Sequence, residues 1–177
     1  MAHLVKSQTA SSDKNRWATT WDCYHRAVDL FGREFDVDVA AEPLTAKCNK
    51  FISYKAFDNP LGGEQVGVDA LAEDTQWLNN WWCNPPFDEK KAFIEKAVMY
   101  ANYGLSGMML LPYEPCTKWF RELIIPHATA VYVPDGRYNF LETDGVTKKT
   151  GVNFPSCFIL FTPHFNGGEA KIININR

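Results

Sequence analysis

Four consecutive residues, Asn84-Pro85-Pro86-Phe87, join a side-chain amide, two fixed backbone angles and an aromatic ring. Proline locks φ and has no N–H, so carbonyls beside it are aimed rigidly. The Asn84 amide oxygen and the Pro85 carbonyl would supply two neighbouring acceptors, with Phe87 as a flat face. Such a pair suits a planar amino nitrogen whose lone pair is delocalised, as in the exocyclic amine of adenine or a glutamine amide. Holding both hydrogens makes the nitrogen more pyramidal and frees the lone pair to attack a methyl sulfonium. A base buried in a duplex must first leave its stack, and an aromatic platform holds it once out. The gain would come from positioning and electrostatics, with neither a metal nor a covalent intermediate. The plain alternative is a turn with a core aromatic behind it, and four residues alone do not separate the two.

Other reactive types are poorly grouped. Pro115-Cys116 is out of context for a nucleophilic thiol. Cys23, Cys48, Cys83, Cys116 and Cys157 form no CxxC pair and read as reduced, buried thiols of a cytosolic protein. His3, His25, His127 and His164 are scattered and support neither a metal site nor a catalytic triad. Trp81, Trp82 and Trp119 read as core.

The elements around the motif must position it. Thr19 and Thr20 precede a helical pattern, Trp21, Tyr24, Val28 and Phe31, which Gly32 stops. Residues 34–41 (EFDVDVAA) alternate as a strand, for which a solvated face bearing Asp36 and Asp38 is the plain alternative to a binding role; 42–49 reads as a short helix, 50–54 as a strand and 58–67 as a loop. Trp81-Trp82-Cys83 is a strand that leaves its sheet at the double proline. Asp88 caps a helix with Phe93, Ile94, Ala97, Val98 and Ala101 inward, ended by Gly104. Then follow a buried strand at 107–111, a helical turn after Pro115 with Trp119, Phe120, Leu123 and Ile124, a strand at 128–133, an excursion over 134–154 and a strand at 156–161. Alternation of this kind predicts an α/β fold with a mostly parallel sheet, whose ligands bind at the carboxyl ends of strands.

The chain of 177 residues with 46% hydrophobic content suits one compact domain over 15–177, behind a loose Ser/Thr/Ala-rich segment at 1–14. A net charge of −3 argues against a polybasic, non-specific DNA binder, though not against a local basic face. No apolar run is long enough to span a membrane and no signal peptide is evident. Candidate phosphate contacts are Lys118, Arg137, Lys148 and Lys149, the last three in a candidate DNA-recognition insertion at 135–153 that also carries Asp135, Glu142 and Asp144.

Several separated segments share an order with one family. Trp17-Ala18-Thr19-Thr20 resembles an opening W-x-T-P, with Thr20 in place of the proline; Phe35-Asp36-Val37-Asp38-Val39-Ala40-Ala41 resembles F-D-L-D-x-A/C-A, continued by Ala46, Cys48 and Phe51. Asp69-Ala70-Leu71, Trp82-Cys83-Asn84-Pro85-Pro86-Phe87, Leu110-Leu111-Pro112, Thr117-Lys118-Trp119-Phe120, Gly136-Arg137-Tyr138-Asn139-Phe140 and Phe154-Pro155-Ser156 follow in the same order. Over residues 17–163 the chain thus resembles the phage-type, Dam-like DNA adenine-N6 methyltransferases. The resemblance implies a Rossmann-like methyltransferase fold, S-adenosylmethionine as methyl donor and double-stranded DNA as substrate. It implies that Asn84, Pro85, Pro86 and Phe87 are catalytic, and that Trp17, Thr19, Asp36, Asp38, Ala40, Asp69 and Asn84 contact the donor. No glycine-rich loop follows the first strand, so no donor fingerprint can be read directly. Methylation of RNA or of a protein glutamine, and a non-catalytic DNA-binding relative, stay open at this point.

Overall fold

The computed structural model describes residues 16–58, 62–163 and 168–177; the segment expected to be loose at 1–14 lies outside them. Its strands are β1 (Ala18–Thr19), β2 (Val37–Asp38), β3 (Lys50–Ser53), β4 (Glu64–Val68), β5 (Trp81–Cys83), β6 (Gly107–Pro112), β7 (Ala130–Pro134), β8 (Phe140–Leu141), β9 (Ser156–Phe161) and β10 (Lys171–Ile175). Its long helices are α1 (Trp21–Phe31) and α2 (Lys90–Asn102), and a π-helical turn spans Phe120–Ile124. Eight strands form one sheet in the order β10-β7-β9-β6-β5-β2-β3-β4, while β1 and β8 pair separately. Only β9 runs against its sheet neighbours; the other pairings are parallel.

Side chains alternate across the sheet because the strand period is two. Trp81 therefore enters the core on the face covered by Phe93, Ile94 and Ala97 of α2 and by Phe120 and Ile124. Trp82 enters the opposite core with Cys23, Tyr24 and Ala27 of α1. Both indoles are fully buried, so β5 is clamped from both sides before it reaches Asn84. Gly107 pairs with Trp81 across β5 and β6. A Cβ on Gly107 would fall 2.1 Å from the Trp81 ring and 2.5 Å from its carbonyl oxygen, so the indole lies where any side chain would stand.

Several expectations are corrected. The 42–49 stretch is a run of turns, because the Asp38 carboxylate accepts from the Lys47 and Ala40 backbone N–H groups and diverts them from a helix. Asp38 is itself buried, since β2 is flanked by β3 and β5, and the alternative of a solvated face holds for Asp36 alone. The loop expected at 58–67 yields β4, an edge strand whose outward residues, Glu64, Val66 and Val68, include two valines and so hide the usual polar-out alternation. Thr20 holds the cap position of α1, but its hydroxyl makes no capping bond. Trp21 is 49% exposed, and Cys23, Tyr24 and Ala27 carry the buried face instead. Asp88 sits inside a 3-10 turn, Phe87–Glu89, ahead of α2 rather than at its cap. Cys116 is exposed, unlike the other four thiols. The mostly exposed β10 and the two-residue β1 and β8 carry no signal that alternation could reveal.

Gly107→Ala should lower unfolding stability by about 3 kcal/mol or more, since the core offers no room for the methyl. Urea unfolding of both proteins checks this; a loss under about 1 kcal/mol would show that the Trp81 ring moves aside easily.

Candidate active site

Strands β2, β3, β4 and β5 are parallel neighbours, so their carboxyl ends open on one edge of the sheet. A cavity of about 430 Å³ lies along that edge. Asp38 and Ala40 line it after β2, Ser53 and Tyr54 after β3, Asp69 after β4 and Asn84 after β5, and Trp17 and Thr19 close it from the chain's first described residues. Of the residues expected at a donor site, Asp36 is the one that does not line the cavity. It is exposed at the start of β2, where its Oδ2 accepts from Asn80 Nδ2 at 2.8 Å.

The cavity also has walls that the sequence reading missed. Arg16 forms a two-pronged pair with Glu42, Nε to Oε1 and Nη2 to Oε2, each at 2.8 Å. Both residues line the cavity, as do Thr45 and Glu89. Ser53 is buried, and its hydroxyl makes no hydrogen bond among the described residues. No local motif marks these positions; strand order alone brings them together.

The electrostatics centre on Asp38, which is 3% exposed. Burial pushes its carboxyl up to about 6, against the lowering effect of the N–H groups of Lys47 and Ala40 and of the Lys47 charge. Burial lowers Lys47 from the usual lysine range, while the Asp38 charge opposes that shift. The Lys47 ammonium donates to the Thr45 carbonyl at 2.9 Å and lies 4.6 Å from the centre of the Trp21 ring.

A second, narrower cleft opens on the other side of Asn84. Asn84, Pro85, Phe87, Leu110, Pro112, Phe140, Phe154 and Ser156 line it. Its rings, Phe87, Phe140 and Phe154, pack on Trp17 of the larger cavity: Trp17 lies parallel to Phe154 with ring centres 6.1 Å apart, and Phe87 meets both edge-on at 5.8 and 5.2 Å. Asn84 is therefore common to both clefts. Its Nδ2 donates to the Trp17 carbonyl at 2.9 Å. That bond fixes which way the amide faces and leaves Oδ1 as an acceptor.

The candidate basic residues separate. Lys118 is exposed and pairs loosely with Glu122 at 3.8 Å, one helical turn on. Arg137 and Lys148 are exposed, and the Arg137 carbonyl accepts from Arg177 Nη1 at 2.8 Å. Lys149 is turned inward: only 11% of its side chain is exposed, it pairs with Glu142 at 3.0 Å, and its ammonium lies 5.4 Å from the Trp17 ring centre. Lys148 and Lys149 belong to a hairpin over 140–149, closed by the Leu141–Lys148 bridge and by the Asp144 side chain accepting from Val146 and Thr147. At its tip Gly145 has φ of +73°, and a Cβ there would fall 2.2 Å from the Leu44 carbonyl oxygen. The hairpin thus rests on the loop that forms one lip of the larger cavity. Among the described residues, no three His, Cys, Asp or Glu side chains gather as metal ligands, and no helix is long and apolar enough to cross a membrane.

Sheet order, the reversed β9 and a strand-end cavity that meets Asn84 define a class I S-adenosylmethionine-dependent methyltransferase. The chain belongs to the DNA N-6-adenine-methyltransferase (Dam) family, whose sequence profile it matches over residues 6–177. A DNA N-6-adenine-methyltransferase of Haemophilus phage HP1 (strain HP1c1) is 29% identical over 170 residues, covering 95% of this chain and 90% of that protein. One of Escherichia phage T1 is 24% identical over 123 residues, 66% of this chain and 43% of the relative. A Listeria monocytogenes structure named as a class I S-adenosylmethionine-dependent methyltransferase aligns with a TM-score of 0.42 and 10% identity, over 86% of this chain and 61% of that one. The reaction is methyl transfer from S-adenosylmethionine to the N6 amine of adenine in DNA.

The folded protein holds a proton on Asp38 at pH values where the unfolded chain has already released it. This group therefore makes the fold lose stability as pH rises from about 4 to about 6, by at most about 3 kcal/mol. Asp38→Asn should flatten that part of the stability profile in denaturant titrations across pH 4–7; an unchanged slope would mean that Asp38 ionises as readily in the folded protein as in the unfolded chain.

Proposed function

We propose that Asn84-Pro85-Pro86-Phe87 holds an adenine flipped out of duplex DNA at the meeting point of the two clefts, with the methyl donor in the larger one. The observation that carries this reading is the position of Asn84, which lines both clefts and has its amide nitrogen tied to the Trp17 carbonyl. Its Oδ1 and the Pro85 carbonyl accept the two hydrogens of the adenine amine. The nitrogen's lone pair is then turned toward the donor side, and Phe87 supplies the stacking face. Because Phe87, Phe154 and Trp17 pack on one another, a base enters only as those rings give way.

The larger cavity suits S-adenosylmethionine. Its volume lies in the usual range of small-molecule sites. The unpartnered, buried Ser53 hydroxyl and the carboxylates of Asp38, Glu42 and Asp69 answer the ribose hydroxyls and the ammonium group of such a molecule. When bound, the donor supplies an electrophilic methyl group on a sulfonium. Trp17, Thr19, Asp38, Ala40, Asp69 and Asn84 are assigned to hold it, and Asp36 is left out because it faces solvent at the other end of β2. Lys118, Arg137 and Lys148 are assigned to backbone phosphates, and the 135–153 segment to recognition. Lys149 supports Trp17 from within rather than reaching DNA.

Two measurements test these assignments. Incubation with labelled donor and unmethylated duplex DNA should give N6-methyladenine, and Asn84→Ala should reduce kcat by about 10² or more with the fold intact; label confined to RNA or protein, or an active Asn84→Ala, would sink the reading. Donor affinity should weaken as pH falls through about 6, about tenfold at pH 5, as Asp38 takes up its proton, and calorimetry on Asp38→Asn should show weak binding without that pH dependence. Affinity that is flat between pH 5 and 7 in the native protein would remove Asp38 from the donor site.

A further inference from the structure

The two acceptors at Asn84 and Pro85 recognise an amino group and nothing else. The N4 amine of cytosine would satisfy them as well as the N6 amine of adenine. Discrimination therefore needs a contact with the ring itself. Among the lining residues of the base-side cleft, the apolar side chains of Leu110, Pro112 and Phe140 supply no such contact, and the Lys90 ammonium is turned to the Phe87 carbonyl, at 3.4 Å, and to the Trp119 ring. Ser156 is different: it is 2% exposed, lines the cleft, and its hydroxyl has no hydrogen-bond partner among the described residues.

A buried hydroxyl left unpartnered is unfavourable for the fold and calls for an explanation. Its position gives one. Ser156 opposes Pro112, so β6 alone stands between it and β5. It lies two residues before Phe158, as Asn84 lies two residues after Trp82, and Phe158 and Trp82 belong to the same core. By the strand period, Asn84 and Ser156 stand on one face at one edge of the sheet. Two strand spacings, about 10 Å, separate their backbones sideways, and Ser156, level with Pro112, stands two residues further along β6 than Asn84, which follows the Cys83–Met109 pair.

We infer that Ser156 is a specificity-determining residue whose hydroxyl donates to a ring nitrogen of the flipped adenine while Asn84 and Pro85 hold the amine. This inference rests on the assignment of the cleft to the base, made above. Two ring acceptors of adenine, N3 and N7, have no counterpart in cytosine and can carry the discrimination; N1 cannot, because cytosine N3 stands beside its amine in the same way.

The test uses the full chain. The target sequence is first read from a methylated plasmid, and duplexes are then made with 1-deaza-, 3-deaza- or 7-deazaadenine at the target position. In the wild type the 3-deaza or the 7-deaza analogue should lose about tenfold in kcat/KM, and a loss confined to the 1-deaza analogue overturns the inference. Ser156→Ala should lose about tenfold on adenine and show no further loss on that same analogue, the non-additivity expected of two halves of one hydrogen bond. Its Tm should hold or rise, because the substitution removes an unpartnered polar group from the interior. Wild-type kinetics in Ser156→Ala, or an analogue penalty that persists at full size in it, overturns the inference and leaves the base cleft standing. A lowered Tm with equal losses on every substrate assigns Ser156 a purely structural role and overturns it too. A fully active Asn84→Ala overturns the base cleft itself, and Ser156 with it.

Discussion

The hydrogen bond from Asn84 Nδ2 to the Trp17 carbonyl joins parts of the chain 67 residues apart, and the arrangement of both clefts depends on it. One side is the end of β5, held by Trp81 in one core and Trp82 in the other. The other side is the first described stretch of the chain, which has little regular structure of its own beyond the two-residue pairing of β1 with β8. Without the bond, the Asn84 amide would turn freely and present nitrogen or oxygen by chance. With it, the donor end is spent on the backbone and the acceptor end is left for a ligand. The Trp17 ring is fixed in turn by Phe87, Phe140, Phe154 and the Lys149 ammonium. The orientation of one amide is thus carried outward into the aromatic cluster and the 140–149 hairpin.

Asp38 is the second constraint, and it has a cost. A carboxylate buried beside only one ammonium is disfavoured, which is why its proton is held up to about 6. The local return is structural: two backbone N–H groups of the 40–47 segment bond to it, so the segment turns under the cavity instead of forming a helix. The same turn carries Glu42 to Arg16 and Leu44 to the tip of the hairpin. Both lips of the larger cavity therefore rest on a residue that is unfavourable where it stands, as is common where binding sites are built.

Much of this was legible in the sequence, and for identifiable reasons. The runs at 81–83, 107–112 and 156–161 are continuous and apolar because the sheet is covered on both faces, and such runs are conspicuous. The double proline announces where β5 must leave the sheet. Six of the seven expected donor-site residues line one cavity because four strand ends meet there. The rest was hidden for physical reasons. β4 and β10 are edge strands with exposed residues, and the partner of β10, β7, is distant in sequence. Ser53 and Arg16 belong to no local pattern and reach the cavity only through sheet order. Lys149 looked like a surface cation until the hairpin folded its side chain against Trp17 and Glu142.

The two clefts differ in a way that fits the order in which their occupants must arrive. The larger is open and lined by charged and hydroxyl groups, so a polar cosubstrate enters it without rearrangement. The narrower is already filled by rings from three separate parts of the chain. In the proposed reaction a flipped base replaces ring–ring contacts with ring–base contacts of the same kind, so admitting it exchanges stacking for stacking rather than opening a void. The polar atoms on its walls then decide which base gains anything from the exchange. Apolar packing sets how readily the cleft opens, while hydrogen bonding sets what stays inside. Selectivity of this kind needs no strongly basic surface, which is consistent with DNA chemistry in a chain whose net charge is −3.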